Sequence, residues 1–256
     1  MEAPKIMPPD MVNEYSMGGE VPIEYSYRND CSNESQQDYR LNYNTAALVK
    51  FTEMIKNGEV WGYGQTDIWM YEALAQFPIK DKSVCIVGST NPWYEAMALH
   101  YGAKRCVVFE YAPREQFDSR IEYILPEQLK NEKFDVCFSI SSIEHDGLGR
   151  YGDPLDPNGD IRAMREAKEY VKKDGLMFLA IPVGSDRVYF NVHRVYGAKR
   201  LPVLLKGWNK LAAFGIEMAV REDDSDFFAI PAFYLSNNIN DKNQSPYQPV
   251  FVLRNS

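Results

Sequence analysis

The sequence has little of what marks several large classes of protein. Its apolar runs, of which residues 176–183 form one of the longest, are far shorter than the roughly 18–20 residues that cross a bilayer, so we expect no membrane span. The four cysteines form no CxxC pair and have no spacing with histidine typical of a metal site. Because Cys85, Cys106 and Cys137 each lie inside an apolar run, we expect buried free thiols and no metal centre.

Positive charge is also scarce. Lys and Arg number 28 against 36 Asp and Glu, and the resulting net charge of −8 disfavours binding to a phosphate backbone, so no nucleic-acid partner is expected. Residues 1–10 carry three prolines and no continuous apolar stretch, so the sequence as written shows no secretory signal. This predicts a cytoplasmic protein, unless a longer N-terminus carries a signal for the secretory pathway. The sequence indicates no particular oligomeric state.

What the sequence does have is the composition of a globular domain. Of its 256 residues, 45% are hydrophobic and 25% are charged, and the length suits one α/β domain with an N-terminal appendage. Residues 1–43 show no sustained period and predict an irregular arm that lies on the rest of the protein. Two helices follow, one near residues 45–56 and one capped by Asp67. We predict that residues 1–82 form an arm and cap helices packed on a core domain of residues 83–256.

The rest of the chain alternates apolar, β-type runs with helical segments. The predicted strands are residues 83–87, 105–109, 121–124, 134–140, 175–181, 216–220 and 249–253. Near-continuous apolar strands separated by helices are typical of a parallel sheet that is covered on both faces. We therefore predict an α/β fold: a doubly wound, mostly parallel, seven-stranded Rossmann-like sheet with helices on both faces and an N-terminal helical cap.

Ligands of such sheets bind beyond the carboxyl ends of the strands, where the strand order reverses. Glu110 follows the second strand of the sheet, 22 positions after Gly88, close to the offset of about 20 residues at which an acidic side chain binds the ribose of an adenosine ligand. The alternative is a solvated carboxylate at a strand end. Residues 88–92, after the first strand, contain one glycine where a dinucleotide fingerprint needs three. This disfavours NAD and suits an adenosine ligand without phosphates, such as S-adenosylmethionine, although the segment alone is also typical of an ordinary turn.

The densest polar segment follows the fourth strand of the sheet. It contains His145 next to Asp146, with Asp153 further along, and His193 lies in the loop region after the fifth strand. Because these two strands should be neighbours, His145 and His193 are expected to face one pocket. A neutral imidazole accepts a proton near pH 7, so each histidine is either a general base or a hydrogen-bonded loop residue.

Four motifs carry a resemblance to a known family. The run FDVCFSISSIEH, preceded by VVFEY, resembles class I S-adenosylmethionine-dependent methyltransferases. More closely, GSTNPWYEA, VVFEY, SSIEHDGLGRYGDPLDPNGD and PVGSDRVYFNVHRVYGAKRLPVLLKGW resemble a family known only as domain of unknown function 268. The resemblance covers about residues 83–208. The first turn departs from it, because Thr90 and Pro92 stand where methyltransferases usually have small residues.

The resemblance implies a set of cofactor contacts. Gly88 and Ser89 would approach the methionine part of S-adenosylmethionine, and Glu110 would bind the ribose. Tyr111 would contact the adenine. Ser141 and Ser142 would close the floor of the site near the sulfonium.

The expected activity is methyl transfer from S-adenosylmethionine to an oxygen of a small-molecule or glycan-like hydroxylated acceptor. His145 is the candidate base, with Asp146 or Asp153 orienting it and His193 as a second candidate. Trp61, Tyr63 and Tyr71 are candidates for aromatic walls, with core packing as the alternative. Two other functions stay open: a non-catalytic module that binds an adenosyl ligand, and a nicotinamide-dependent oxidoreductase, which the missing glycines disfavour.

Overall fold

The computed structural model describes residues 3–30, 42–110, 115–129, 131–220, 226–229 and 247–256. Its strands are β1 (Ile23–Ser26), β2 (Ser83–Val87), β3 (Arg105–Phe109), β4 (Ile121–Ile124), β5 (Phe134–Ile140), β6 (Val171–Ala180), β7 (Arg187–Asn191), β8 (His193–Val195), β9 (Trp208–Phe214), β10 (Glu217–Val220), β11 (Asp226–Ala229) and β12 (Val250–Asn255). Its helices are α1 (Val12–Tyr15), α2 (Thr45–Lys56), α3 (Gln65–Gln76), α4 (Trp93–His100), α5 (Gly159–Tyr170) and α6 (Arg200–Leu204). Within these described ranges, every helix is too short or too polar to cross a bilayer.

The central sheet has seven strands in the order β4-β3-β2-β5-β6-β12-β9. Strands β2 to β6 are mutually parallel, and β12 runs antiparallel to both of its neighbours, β6 and β9. The chain enters the sheet at β2, moves outward through β3 and β4, and returns to the other side of β2 with β5. The strand order therefore reverses between β2 and β5. This confirms the predicted doubly wound, mostly parallel sheet of seven strands.

The side chains of the central strands alternate between two buried faces. Val84 and Ile86 of β2 join the apolar cluster on one face, and Cys85 joins the cluster on the other. A parallel sheet with helices on both sides has no solvent-facing side, which explains why these strands are continuous apolar runs in the sequence. Cys85, Cys106 and Cys137 are buried free thiols, as expected.

Helices cover both faces of the sheet. Phe51 of α2, Leu74 of α3 and Met97 of α4 belong to the cluster on the first face. Met164 of α5 and Leu201 of α6 belong to the cluster on the second. The helices that precede the sheet in sequence are thus part of its apolar core on one side.

The N-terminal arm adds a strand to a second, smaller sheet. β1 pairs in parallel with β7, and β7 pairs antiparallel with β8. Met7 and Tyr15 of the arm form a buried cluster with Leu148 and Phe190, and the Tyr15 hydroxyl donates to the carbonyl of Gly147. The arm therefore lies on the segment that follows β5. The division of the chain at residue 82 stays a prediction.

Two sequence expectations are corrected. Asp67 does not cap a helix: it lies inside α3, whose N-terminal cap is Gly64. The segment 216–220 does not close the central sheet, because β10 pairs with β11 in a separate two-stranded sheet. The edge of the central sheet is formed by β9, next to β12.

Candidate functional site

A cavity of about 200 Å³ opens at the point where the strand order reverses. Its floor is formed by the segments that leave the carboxyl ends of three strands: residues 88–91 after β2, Glu110 after β3 and residues 141–146 after β5. Residues from α5 and from the loop before α3 complete the walls. The cavity is therefore where a doubly wound sheet binds its ligand.

The turn after β2 needs the backbone freedom of glycine. Gly88 has φ of +66°, and a Cβ added there would lie 2.5 Å from the Oγ of Ser142. Such a contact excludes any larger residue without a shift of the Ser142 side chain, so the turns after β2 and β5 approach each other closely. The hydroxyl of the next residue, Ser89, donates to the buried carboxylate of Glu95 at 2.8 Å, which fixes the turn to the first part of α4.

Glu110 faces this turn across the cavity floor. Its Oε2 accepts a hydrogen bond from the backbone N–H of Ser89 at 3.3 Å. The carboxylate at the end of β3 and the glycine turn at the end of β2 thus line one cavity, as the spacing of Gly88 and Glu110 suggested. Tyr111, the predicted adenine contact, lies outside the described residues.

Ser141 and Ser142 line the cavity at the end of β5, and a buried carboxyl group lies behind them. Ser141 has φ of +51°, and its hydroxyl donates to the Oε1 of Glu144 at 2.7 Å. Glu144 has no exposed surface, and burial raises its pKa to about 7. Ser141 also accepts a hydrogen bond from Nε2 of Gln248 at 3.1 Å. The floor of the cavity therefore connects to a group that titrates near neutral pH.

His145 is buried and lines the cavity. Its Nδ1 lies 2.6 Å from the carbonyl oxygen of Val192, which can only accept, so Nδ1 carries the proton and Nε2 keeps its lone pair. Nε2 lies 3.7 Å from Oε1 of Glu144. Burial, and then the nearby Arg150, hold the pKa of His145 well below its usual range. The imidazole is thus neutral at pH 7, and the Val192 carbonyl orients it.

The other three predicted catalytic residues have different places. Asp146 lines the cavity, and burial raises its pKa well above the usual range. Asp153 does not contact His145; its carboxylate accepts hydrogen bonds from the backbone N–H groups of Gly147 and Gly149 at 2.8 and 3.1 Å. The structure thus brings His145 and Asp146 to the cavity wall, while Asp153 folds the segment behind them.

His193 stands behind His145. His193 is the first residue of β8, and the centroid of its ring lies 6.4 Å from that of His145. The ring centroid of Tyr189 lies 5.1 Å from that of His193. Burial lowers the pKa of His193 to about 4. Among the described residues, the cavity lining includes His145 and does not include His193.

Aromatic side chains form the wall on the side of α3 and α4, and Asp67 holds them. Its carboxylate accepts hydrogen bonds from the backbone N–H of Trp61, the indole of Trp93 and the hydroxyl of Tyr94 at 2.7, 3.0 and 2.9 Å. All three donors line the cavity, and so does Tyr63. The other predicted aromatic wall residue, Tyr71, lies elsewhere, because its hydroxyl donates to the carbonyl of residue 59 and its ring stacks on Tyr101.

A buried ion network holds the long segment between β5 and α5. Asp160 has no exposed surface and accepts two hydrogen bonds from Arg200, at 2.6 and 2.8 Å, and one from Tyr196 at 3.0 Å. Arg194 donates to the carbonyl of Asp146 at 2.6 Å. Two arginines from the region of β8 and α6 therefore fix the position of the cavity wall.

Several cavity residues were not among the predicted site residues. Tyr94 and Tyr151 line the cavity and fall within two of the motifs quoted above, whereas Glu166 and Tyr170 of α5 line it without belonging to a motif. Their positions follow from tertiary packing. Among the described residues, no cluster of three or more His, Cys, Asp or Glu side chains comes together as a metal site would require.

Comparison with solved structures identifies the fold. The 1,6-didemethyltoxoflavin-N1-methyltransferase from Burkholderia thailandensis, solved with bound 1,6-didemethyltoxoflavin and S-adenosylhomocysteine, aligns with a TM-score of 0.53 at 13% identity, over 82% of this chain and 88% of that chain. The N-methyltransferase NodS from Bradyrhizobium japonicum, solved with S-adenosylhomocysteine, aligns with a TM-score of 0.46 at 13% identity, over 88% and 99% of the two chains. The fold is that of the class I S-adenosylmethionine-dependent methyltransferases.

The family follows from the sequence match. The family model described as "Caenorhabditis protein of unknown function, DUF268" matches residues 81–228, more than half of the chain. The chain belongs to this DUF268 family. A search of curated proteins found no match.

Proposed function

We propose that the protein is an S-adenosylmethionine-dependent methyltransferase that methylates an oxygen of a small or glycan-like hydroxylated acceptor. The observation that carries the proposal is the pairing of Glu110 with the Gly88 turn on the floor of one cavity, at the reversal point of the sheet. An acidic residue in this position suits the two hydroxyls of an adenosine ribose, and the glycine turn lets a ligand approach the backbone.

The side chains of the cavity fit this cofactor. The polar groups of the lining are the Glu110 carboxylate for the ribose, the backbone of the Gly88–Ser89 turn for the methionine part, and the hydroxyl groups of Ser141 and Ser142. When bound, the cofactor supplies an activated methyl group on a positively charged sulfonium. The carboxylates of Glu110 and Glu166 in the lining suit that charge.

The lining also limits the acceptor. Carboxylates and aromatic rings are present, whereas no Lys or Arg side chain lines the cavity in the part of the chain that the structure describes. An anionic acceptor would be repelled by Glu110 and Glu166, with no Lys or Arg among the described lining residues to offset the repulsion. The rings of Trp61, Tyr63 and Tyr94 offer apolar faces on which the C–H groups of a sugar or another ring can pack. A neutral hydroxylated acceptor fits both features.

His145 is the residue that we assign to the acceptor proton. Methyl transfer requires the donor and acceptor atoms to be held in line and the acceptor proton to be removed. The hydrogen bond from Nδ1 to Val192 leaves Nε2 of His145 free to accept that proton. His193 and Asp153 then act indirectly. His193 packs near the imidazole ring of His145, and Asp153 holds the segment that carries His145 through its hydrogen bond from Gly147.

Calorimetric titration with S-adenosylhomocysteine and with NAD tests the cofactor, and transfer of labelled methyl groups to a panel of neutral glycosides tests the reaction. We expect binding of S-adenosylhomocysteine, no binding of NAD, and label in at least one glycoside. Absence of S-adenosylhomocysteine binding would overturn the enzyme assignment. Binding of S-adenosylhomocysteine without label in glycosides, phenols, amines or thiols would favour a non-catalytic adenosyl-binding module, and binding of NAD alone would favour an oxidoreductase.

A further inference from the structure

The carboxyl group of Glu144 is placed as a buried acid next to the reacting centre of the proposed methyltransferase. The residue has no exposed surface. Its Oε1 accepts a hydrogen bond from Ser141, which lines the cavity, and its Oε2 is buried without a hydrogen-bond partner among the described residues. Burial of Oε2 without a donor disfavours the ionised form, whereas the hydrogen bond from Ser141 favours it.

Charged and titratable groups surround Glu144 from every packed element. Arg150 and Arg194 favour its ionised form, whereas burial opposes it more strongly and raises the pKa of Glu144 to about 7. Oε1 also lies 3.7 Å from Nε2 of His145, the proposed proton acceptor. The remaining titratable groups whose charges interact with Glu144 are Tyr63, Asp146 and Tyr196.

We propose that Glu144 takes up the proton that methyl transfer releases, ionising when the positively charged cofactor binds and becoming neutral again as the neutral product forms. The proposal rests on the proposed function, because it requires a sulfonium in the cavity. Its geometric basis is the position of the Glu144 carboxyl group. The hydroxyl of Ser141 connects that group to the cavity floor, and the imidazole of His145 lies between it and the proposed position of the acceptor. A nearby positive charge favours the ionised form of a carboxyl group, and loss of that charge favours the neutral form.

The proton and electron balance closes within the site. The acceptor O–H bond breaks and its electron pair forms the new O–CH3 bond, while the electron pair of the S–CH3 bond stays on sulfur. The proton passes from the acceptor to Nε2 of His145 and then to the Glu144 carboxylate. His145 ends neutral, as it began. The site therefore exchanges one positive and one negative charge for two neutral groups, which avoids leaving a buried charge unpaired. The 3.7 Å separation of Nε2 and Oε1 has to shorten in the complex, as hydrogen bonds of active sites commonly do.

Proton release on ligand binding tests the proposal without any acceptor. Titrations of S-adenosylmethionine and S-adenosylhomocysteine at pH 7, in buffers of different ionisation enthalpy, give the number of protons released by each ligand. Because a group with a pKa near 7 is half protonated at pH 7, we expect S-adenosylmethionine to release about 0.5 proton more than S-adenosylhomocysteine. The Glu144→Gln variant should bind both ligands with no difference in proton release, and Glu169→Gln, which changes an exposed residue of α5, should behave as wild type.

The Ser141→Ala variant gives a second, independent measurement. Loss of the Ser141 hydrogen bond removes a donor that favours ionised Glu144 and so raises the pKa of Glu144. The pH at which S-adenosylmethionine releases half a proton more than S-adenosylhomocysteine should therefore rise. Equal proton release for the two ligands in the wild type, or a difference that persists in Glu144→Gln, would overturn the proposal. If Glu144→Gln does not fold, the proposal would be overturned by a Ser141→Ala variant whose proton release has the same pH midpoint as that of the wild type. Failure of S-adenosylhomocysteine to bind the wild type at all would instead defeat the proposed function itself.

Discussion

Glu110 stands at the carboxyl end of β3, where its carboxylate holds the N–H of Ser89 at 3.3 Å. A ligand with a pair of adjacent hydroxyls can replace this contact and gain two charge-assisted hydrogen bonds. The turn after β2 has a single glycine, and this disfavours the close approach of the pyrophosphate of a dinucleotide. Under the proposed function, the turn after β2 therefore disfavours a dinucleotide, and Glu110 binds the ribose of the adenosyl ligand.

Replacement of Glu110 by alanine should weaken binding of S-adenosylhomocysteine. Hydrogen bonds to a charged group contribute about 1.5–3 kcal/mol each, so we expect a loss of roughly ten- to a hundredfold in affinity by calorimetry. Glu53→Ala, on the exposed side of α2, is the matched control and should leave the affinity unchanged. Equal affinities of Glu110→Ala and wild type would show that the ribose is bound elsewhere.

His145→Asn should separate binding from catalysis. Loss of a positioned general base lowers turnover by about 10²–10⁴-fold, while the affinity for S-adenosylhomocysteine should stay within about twofold because His145 is not one of the proposed cofactor contacts. The readout is the rate of label transfer at saturating cofactor. His193→Asn should lower the rate of label transfer far less, since His193 is not among the described residues that line the cavity. If both variants transfer label at the wild-type rate, neither histidine accepts the proton.

Some site residues can be predicted from the sequence, and others cannot, for a physical reason. Gly88 and Glu110 follow directly from strand ends, because the carboxyl ends of parallel strands meet at one edge of a sheet. The environment of Glu144 and the partners of Asp67 depend in part on residues far away in the chain, such as Arg194 near Glu144. Asp67 has the sequence position of a helix cap, yet its partners Trp93 and Tyr94 come from another helix. Sequence spacing carries no information about such contacts.

At the scale of elements, four strands occur at their predicted bounds, and these are β2, β3, β4 and β5. Three of them, β2, β3 and β5, are buried on both faces, so their apolar runs end where the strand ends. β9 was missed because an edge strand is half-exposed and mixes polar with apolar residues. β6 begins earlier than predicted, since Lys172, Lys173 and Asp174 interrupt its apolar pattern and the pairing shifts register there.

Asp160→Asn should destabilise the protein strongly. The substitution leaves the buried Arg200 without its carboxylate partner, and removal of one member of a buried ion pair costs about 3–5 kcal/mol. The free energy of unfolding in urea measures the loss. Arg162→Ala, which removes an exposed ion pair with Asp156, is the control and should change stability by less than about 1 kcal/mol. A small effect of Asp160→Asn would mean that the segment between β5 and α5 is held by other contacts.

For the whole molecule, we retain the division into an arm with cap helices, residues 1–82, and a methyltransferase-type domain, residues 83–256, as a proposal. The arm pairs with β7 and packs on the segment after β5, and α2 and α3 share the apolar cluster of the sheet. The apolar faces of α2 and α3 are thus buried against the sheet. Part of the net charge of −8 lies at the cavity, through Glu110 and Glu166.

The stability of the whole protein should depend on pH through Glu144. Its pKa is about 7 in the folded protein and 4.5 when exposed. The folded state therefore binds more protons between these values, so the contribution of Glu144 to stability is full below pH 4.5 and is lost as the pH rises through 7. The wild type should lose on the order of 3 kcal/mol relative to Glu144→Gln over this range, measured by urea unfolding.

The contribution of His193 to stability should change with pH in the opposite direction, so His193 serves as an internal comparison. Its pKa falls from 6.5 to about 4 on folding, so the unfolded state binds more protons and stability falls as the pH drops from 6.5 through 4. The wild type should therefore lose stability relative to His193→Gln on acidification. Parallel pH profiles of wild type and variant would contradict the burial of the residue in question.

A crystal structure of the protein with S-adenosylhomocysteine tests the central claim most directly, namely that the cavity between β2 and β5 is an adenosyl-cofactor site. The predicted result is electron density for the ribose hydroxyls within hydrogen-bond distance of Glu110, with the sulfur beside Ser141 and Ser142. Density for the ligand at any other place in the fold, or none at saturating concentration, would contradict it.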